Sequence, residues 1–157
     1  MKTITYATTL AFLSLAVPPS TAENGAASPT MSYAIWAAGE FEAEELAQPT
    51  ISGKLADPDG DGFNNLMEYA LDGDPTYSDR FEIEPSARIV SGALVMDFKR
   101  DTSKSDIQVD VLSSTNLKTW RATQSELIST RGSIEKHRAS TPIKGTRSFL
   151  KIRVISP

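Results

Sequence analysis

The chain has 157 residues, 20 Asp or Glu against 16 Lys or Arg, a formal net charge of −4, one histidine and no cysteine. The length suits a single domain. The absence of cysteine excludes disulfides, thiolate metal sites and cysteine nucleophiles, a lone histidine excludes a multi-histidine zinc centre, and the acidic balance argues against nucleic acid as a partner.

The charge is unevenly spread. Glu40 to Glu84 holds thirteen acids against Lys54 and Arg80, or −11, whereas Pro85 to Pro157 holds thirteen bases against six acids, or +7. Such asymmetry points to separate tasks for the two halves or to their mutual attraction.

In chain order, Lys2 precedes an apolar run from Ile4 to Val17, broken by Pro18 and Pro19 and ended by Ser20-Thr21-Ala22. The run is shorter than the ~20 apolar residues that span a bilayer. This layout predicts a signal peptide over 1–22 with cleavage after Ala22, no membrane span thereafter, and a secreted or periplasmic protein. Residues 23–30 read as a flexible leader.

A helical segment is expected over 31–80. Thr30 or Ser32 can cap a helix from near Met31, with Ile35, Trp36 and Ala38 on its apolar side, reaching Phe41 and continuing through Glu42 to Ala47. Pro49 ends it, and Gln48 to Ala56 reads as a loop containing Gly53. Asn64 to Leu71 predicts a second, short helix, with Phe63, Leu66, Met67 and Ala70 on one face and Gly73 as its stop. From Phe81 the period becomes two. Leu94, Met96 and Phe98, then Ile107, Val109 and Val111, then Leu150, Ile152 and Val154 mark strands with one buried face. Weaker strands are expected at Phe81 to Ile83, Arg88 to Val90, Trp120 to Thr123 and Ser133 to His137. An antiparallel β domain over 81–157 follows, as one sheet or a small sandwich. The fold class is α+β, mainly β.

The densest chemistry lies in Asp57-Pro58-Asp59-Gly60-Asp61-Gly62-Phe63-Asn64-Asn65-Leu66-Met67-Glu68. Calcium is a hard cation that takes six to eight oxygens. Asp57, Asp59 and Asp61 supply carboxylates at positions one, three and five of an EF-hand loop, and Gly62 permits the sharp turn at position six. The Phe63 carbonyl fits position seven, Asn65 position nine, and Glu68 position twelve with both oxygens. Asn64 at position eight, in place of an aliphatic residue, predicts a lone loop. Asp74 is either a further ligand or a cap for the turn at Pro75.

This loop resembles those of dockerins and bacterial thrombospondin type 3 repeats. The longer run DPDGDGFNNLMEYALDGDP more closely resembles a module found near the C-termini of large secreted bacterial proteins. That resemblance takes in Ile35-Trp36, Phe41, LVMDFKR at 94–100, STNLKTW at 114–120 and the strand at 149–154. It implies a short helical calcium segment followed by a β domain, and it implies no enzymatic activity.

The expected function is therefore a non-catalytic, calcium-binding interaction module, with an extracellular polysaccharide or surface protein as partner. Two other readings stand beside it. A carbohydrate-binding or adhesion module would use Trp36, Trp120 or the basic strands. A glycoside hydrolase would draw a carboxylate pair from Glu40, Glu42, Glu44 and Glu45.

Overall fold

The computed structural model describes residues 30–145 and 147–156. The predicted signal peptide, and the leader up to residue 29, lie outside them.

Helix α1 spans Tyr33–Glu40. Ser32 caps it, its Oγ accepting from Ile35 N at 3.3 Å. Tyr33, Trp36 and Ala37 are its buried residues. Ile35 and Ala38, expected on the apolar side, are exposed. The aromatic side chains decide the face, because Tyr33 and Trp36 lie 5.5 and 5.3 Å from the Tyr69 ring.

The helix does not continue into Glu42 to Ala47. Phe41 is extended at φ −117°, with its side chain buried. A separate helix α2, Ala43–Leu46, then begins at a capping box formed by Glu42 and Glu45. The expected loop from Gln48 to Ala56 contains helix α3, Pro49–Ser52. Pro49 starts this helix, since a first-turn residue has no intrahelical use for its N–H.

Helix α4 is Asn65–Leu71, and Asn64 caps it by accepting from Met67 N at 3.0 Å. Its buried residues are Asn65, Glu68, Tyr69, Ala70 and Leu71. The face centred on Phe63, Leu66 and Met67 is only partly covered. Asp72, at φ 68°, is the left-handed C-cap in place of Gly73. The expected strand at Phe81 to Ile83 is instead helix α5, Arg80–Ile83, which leaves Phe81 exposed and buries Ile83.

Seven strands follow: β1 Ser86–Val90, β2 Ala93–Asp101, β3 Gln108–Ser114, β4 Arg121–Thr123, β5 Ser125–Arg131, β6 Ile134–Pro142 and β7 Phe149–Ile155. They form two antiparallel sheets, ordered β1-β2-β6-β5 and β4-β3-β7. The fold is α+β and mainly β. The sheets share a core of Met96, Phe98, Val111 and Ala139, flanked by Val109, Leu150 and Ile152. Of the expected period-two residues, Met96, Phe98, Val109, Val111, Leu150 and Ile152 meet there, whereas Ile107 packs against the helical core and Leu94 and Val154 lie outside both.

A second core holds Tyr33, Trp36, Ala37, Phe41 and Tyr69. It joins the helices to the β domain, with α4 lying against β2 and β7. Tyr69 Oη donates to Asp106 Oδ1 at 2.6 Å, with the Met31 carbonyl at 3.0 Å. Asp106 Oδ2 accepts from Tyr33 N at 2.8 Å, so one carboxylate holds both helices. Lys104 Nζ lies 3.2 Å from Asp72 Oδ1 and 5.1 Å from the Tyr69 ring centroid. The Asp72–Lys104 pair thus joins an acid of the helical segment to a base of the β domain.

Candidate metal centre

The loop from Asp57 is shaped by its own carboxylates. Asp57 accepts from Gly60 N at 3.0 Å and from Gly62 N at 3.1 Å. Asp59 Oδ1 accepts from Asp61 N, and Asp61 Oδ1 from Phe63 N at 2.8 Å. Gly60 and Gly62 adopt φ +73° and +95°, which L side chains resist. The loop leads into α4, which carries Glu68 one turn into the helix.

Among the described residues, two groups of carboxylates could hold a cation. In one, oxygens of Asp57, Asp59 and Asp61 lie within 4.8 Å of one another. In the other, oxygens of Asp61, Glu68 and Asp79 do the same. Asp61 belongs to both. Oxygens coordinating one calcium at ~2.3–2.6 Å are separated by no more than ~5 Å, so both groups have a compatible spacing.

The side with Glu68 is the dry one. Glu68 is 1% exposed. Both its oxygens are buried without a hydrogen-bond partner, as are Asp59 Oδ2, Asp61 Oδ2 and Asp79 Oδ1. Unpaired buried carboxylate oxygens are costly unless a cation or proton meets them. The electrostatics agree. Burial, reinforced by Asp79, Asp61, Asp59 and Asp57, pushes the Glu68 carboxyl up to about 8. Burial and neighbouring acids also raise Asp59 and Asp79. An oxygen-only donor set of this kind suits a hard divalent cation.

Asp79 is the residue that the loop template does not contain. The turn after α4 delivers it: Asp79 Oδ2 accepts from Asp74 N at 3.1 Å, leaving Oδ1 directed at the acidic group. Asp74 itself caps a turn, its Oδ1 accepting from Thr76 N at 2.9 Å and Thr76 Oγ1 at 2.7 Å. Arg80 closes the outer side, donating to the Asp61 carbonyl at 3.2 Å and lying 5.2 Å from the Phe63 ring centroid. Asn65 is fully buried, and its amide N–H groups donate to the carbonyls of Ile51 and Gly53 at 2.7 and 2.9 Å. Its side chain therefore pins the α3 turn to α4, while its Oδ1 has no partner.

The other candidate residues sit elsewhere. Trp36 is buried in the helical core and offers no open ring face. Trp120 is half-buried, with Lys151 Nζ 4.1 Å from its ring centroid. Glu42 and Glu45 are engaged in capping α2. His137, on β6, has Nε2 2.8 Å from Glu135 Oε2 and Nδ1 3.2 Å from Ser125 Oγ. Phe98 stacks on its ring and Arg100 pairs with Glu135, so the group forms a cross-strand network.

No protein-family model, curated protein or solved structure matches the chain.

Proposed function

We propose that the protein is an exported, non-catalytic calcium-binding module in which the ion is structural. The observation that supports this most is Glu68, buried within the acidic group with neither carboxylate oxygen partnered. Asp57, Asp59, Asp61, the Phe63 carbonyl and Glu68 are the loop ligands in this reading. Asn65, held by its N–H groups, keeps a buried and unpartnered Oδ1 for position nine, and Asp79 adds a carboxylate that the loop template does not contain. The ion would neutralise the excess charge and fix the Asp72 to Arg80 turn against α4. Metal affinity then adds to folding free energy. Magnesium fits less well, because it holds its waters and rarely accepts an all-protein cage.

The resemblance of DPDGDGFNNLMEYALDGDP to a module of secreted bacterial proteins supports the same reading, as does the N-terminal pattern over 1–22. The partner in this proposal is an extracellular polysaccharide or surface protein.

Thermal unfolding in calcium and in excess chelator, with calorimetric titration, tests the proposal. A ligand at ~100 times its dissociation constant stabilises by about 2.7 kcal/mol, which a melting curve resolves readily. Identical melting curves together with no binding heat would reduce the loop to an acidic turn.

A further inference from the structure

The inward-facing positions of the two sheets change character at one end. On β3 the inner face runs from Val109 and Val111 to Ser113, and on β6 it runs from His137 and Ala139 to Thr141. Arg121 of β4 is the register partner of Ser113. A cleft of about 380 Å³ opens there, bounded by Ser113, Arg121, Thr141, Lys144, Asn116 and Thr119 among others. Apolar residues would ordinarily close such an end. Hydroxyls, an amide and two cations line it instead, and among the described residues no carboxylate does.

Two further features bear on this cleft. The side chains of Arg121 and Lys144 have no ion-pair or hydrogen-bond partner among the described residues. Arg138 and Arg88 pair with Asp97, Arg100 with Glu135 and Arg153 with Asp110, whereas Lys99, Lys118, Arg131 and Lys136 make no ion pair among the described residues either, so it is the convergence of Arg121 and Lys144 on one cleft that matters. The wall between β3 and β4 is also held in a fixed, costly conformation. Leu117 adopts φ 60°, an uncommon value for a residue with a branched side chain. Ser114 Oγ accepts from Leu117 N at 2.9 Å, Asn116 Oδ1 accepts from Thr119 N at 2.8 Å, and Trp120 Nε1 donates to the Leu117 carbonyl at 3.2 Å. A loop stapled in this way presents its polar groups with little ordering left to do on binding.

We propose that this cleft binds an acidic sugar unit of a polysaccharide, with Arg121 and Lys144 meeting its anionic group and the ring of hydroxyl and amide groups meeting its hydroxyls. The volume lies within the ~300–1,000 Å³ range of small-molecule sites. Arginine offers a carboxylate or a sulfate ester two parallel donors, and lysine adds a point charge. Among the described residues no aromatic side chain bounds the cleft, which leaves a nucleobase without a stacking surface. A sugar held edge-on by hydrogen bonds has no such need. The site is remote in sequence from the acidic loop and does not depend on it.

The test is calorimetric titration of the protein, in calcium, with an oligogalacturonate, a sulfated oligosaccharide, a neutral oligosaccharide and inorganic phosphate. The same titrations are made on Arg121→Gln, Lys144→Gln and the double variant, with melting temperature as the control for folding. Binding of the uronate or the sulfated oligomer is expected, and which of the two binds identifies the anionic group. A loss of at least tenfold is expected in Arg121→Gln at an unchanged melting temperature. Equal binding of the neutral oligomer, phosphate bound as tightly as either acidic oligomer, no binding of either acidic oligomer, or undiminished binding by the double variant would each overturn the proposal. Failure of calcium to bind would leave these outcomes readable, since the cleft shares no residue with the metal centre.

Discussion

The Glu68 carboxylate occupies the space that a side chain at residue 73 would need. A Cβ built on Gly73 would overlap Glu68 Oε2 and would crowd Ile83 Cδ1 at 2.7 Å. Gly73 has no positive φ to justify it, so its role is steric. It lets the chain pass behind the most buried acid of the proposed site. Gly73→Ala is therefore expected to move Glu68 and to weaken calcium binding by about tenfold or more, as displaced metal-site groups generally do. Melting in chelator should change less than melting in calcium. Titration and paired melting curves check this; a variant binding calcium like the parent would mean that Glu68 is not a ligand.

Asp79 and Asp74 offer a matched comparison. Both are acids in the turn after α4, yet only Asp79 has a buried oxygen without a partner. Asp74 spends its carboxylate on Thr76. Asp79→Asn is expected to lower calcium affinity by about 10- to 100-fold, and Asp74→Asn to leave it within a few-fold of the parent while loosening the turn. Equal losses in the two variants would assign the effect to the turn and not to coordination.

The loop from Asp57 to Glu68 is legible in the sequence because every contribution lies within twelve consecutive residues and its turn is encoded locally by Gly60 and Gly62. Asp79 is not legible in the same way. Its arrival depends on how the turn from Asp72 to Arg80 folds back, a tertiary event that no fixed spacing records. The same distinction governs the fold. Met96 and Phe98 can be read because they lie on the face of β2 that enters the shared core, although Val95 and Asp97 on the other face are buried as well. Strands β1 and β5 are exposed along their whole length, so burial gives them no alternation, and β5 carries no signal of its own. Phe81 to Ile83 looks like a strand from residue type, but a turn of helix at the domain junction can bury Ile83 and leave Phe81 in solvent. Trp36 invites a role in sugar stacking only until Tyr33 and Tyr69 are seen to close around it.

Tyr69 packs in the helical core while its hydroxyl reaches Asp106, so its hydroxyl can be tested apart from its ring. Tyr69→Phe keeps the packing with Tyr33 and Trp36 but removes the donor to Asp106. A hydrogen bond to a charged group contributes roughly 1.5–3 kcal/mol, and a loss of that order is expected in denaturant unfolding. Trp36→Ala should cost more, about 3–5 kcal/mol, because it empties the centre of the aromatic cluster. If Tyr69→Phe unfolds like the parent, Asp106 holds α1 through Tyr33 N alone.

On the opposite side of the β domain, Asp97 predicts the acid limit of stability. Arg138 reaches it with Nε at 2.7 Å and a second nitrogen at 2.9 Å, and Arg88 adds a contact at 2.9 Å. These bonds link β1, β2 and β6 across the sheet. The Arg138 hydrogen bonds, helped by Arg88 and opposed by burial, lower the Asp97 carboxyl to about 2. In the unfolded chain an Asp titrates near ~3.9. The folded form therefore holds its proton less tightly, so Asp97 contributes stability that is fully present above ~4 and is lost as pH falls toward 2. Asp97→Asn should be less stable than the parent at neutral pH, and the difference should shrink between about pH 4 and pH 2. Both guanidinium groups are partly in water, which screens the pair and keeps the effect moderate. Urea unfolding of both proteins in chelator across that range isolates the contribution from the metal centre. A stability difference that stays constant down to pH 2 would show that the Asp97 charge is not what Arg88 and Arg138 stabilise.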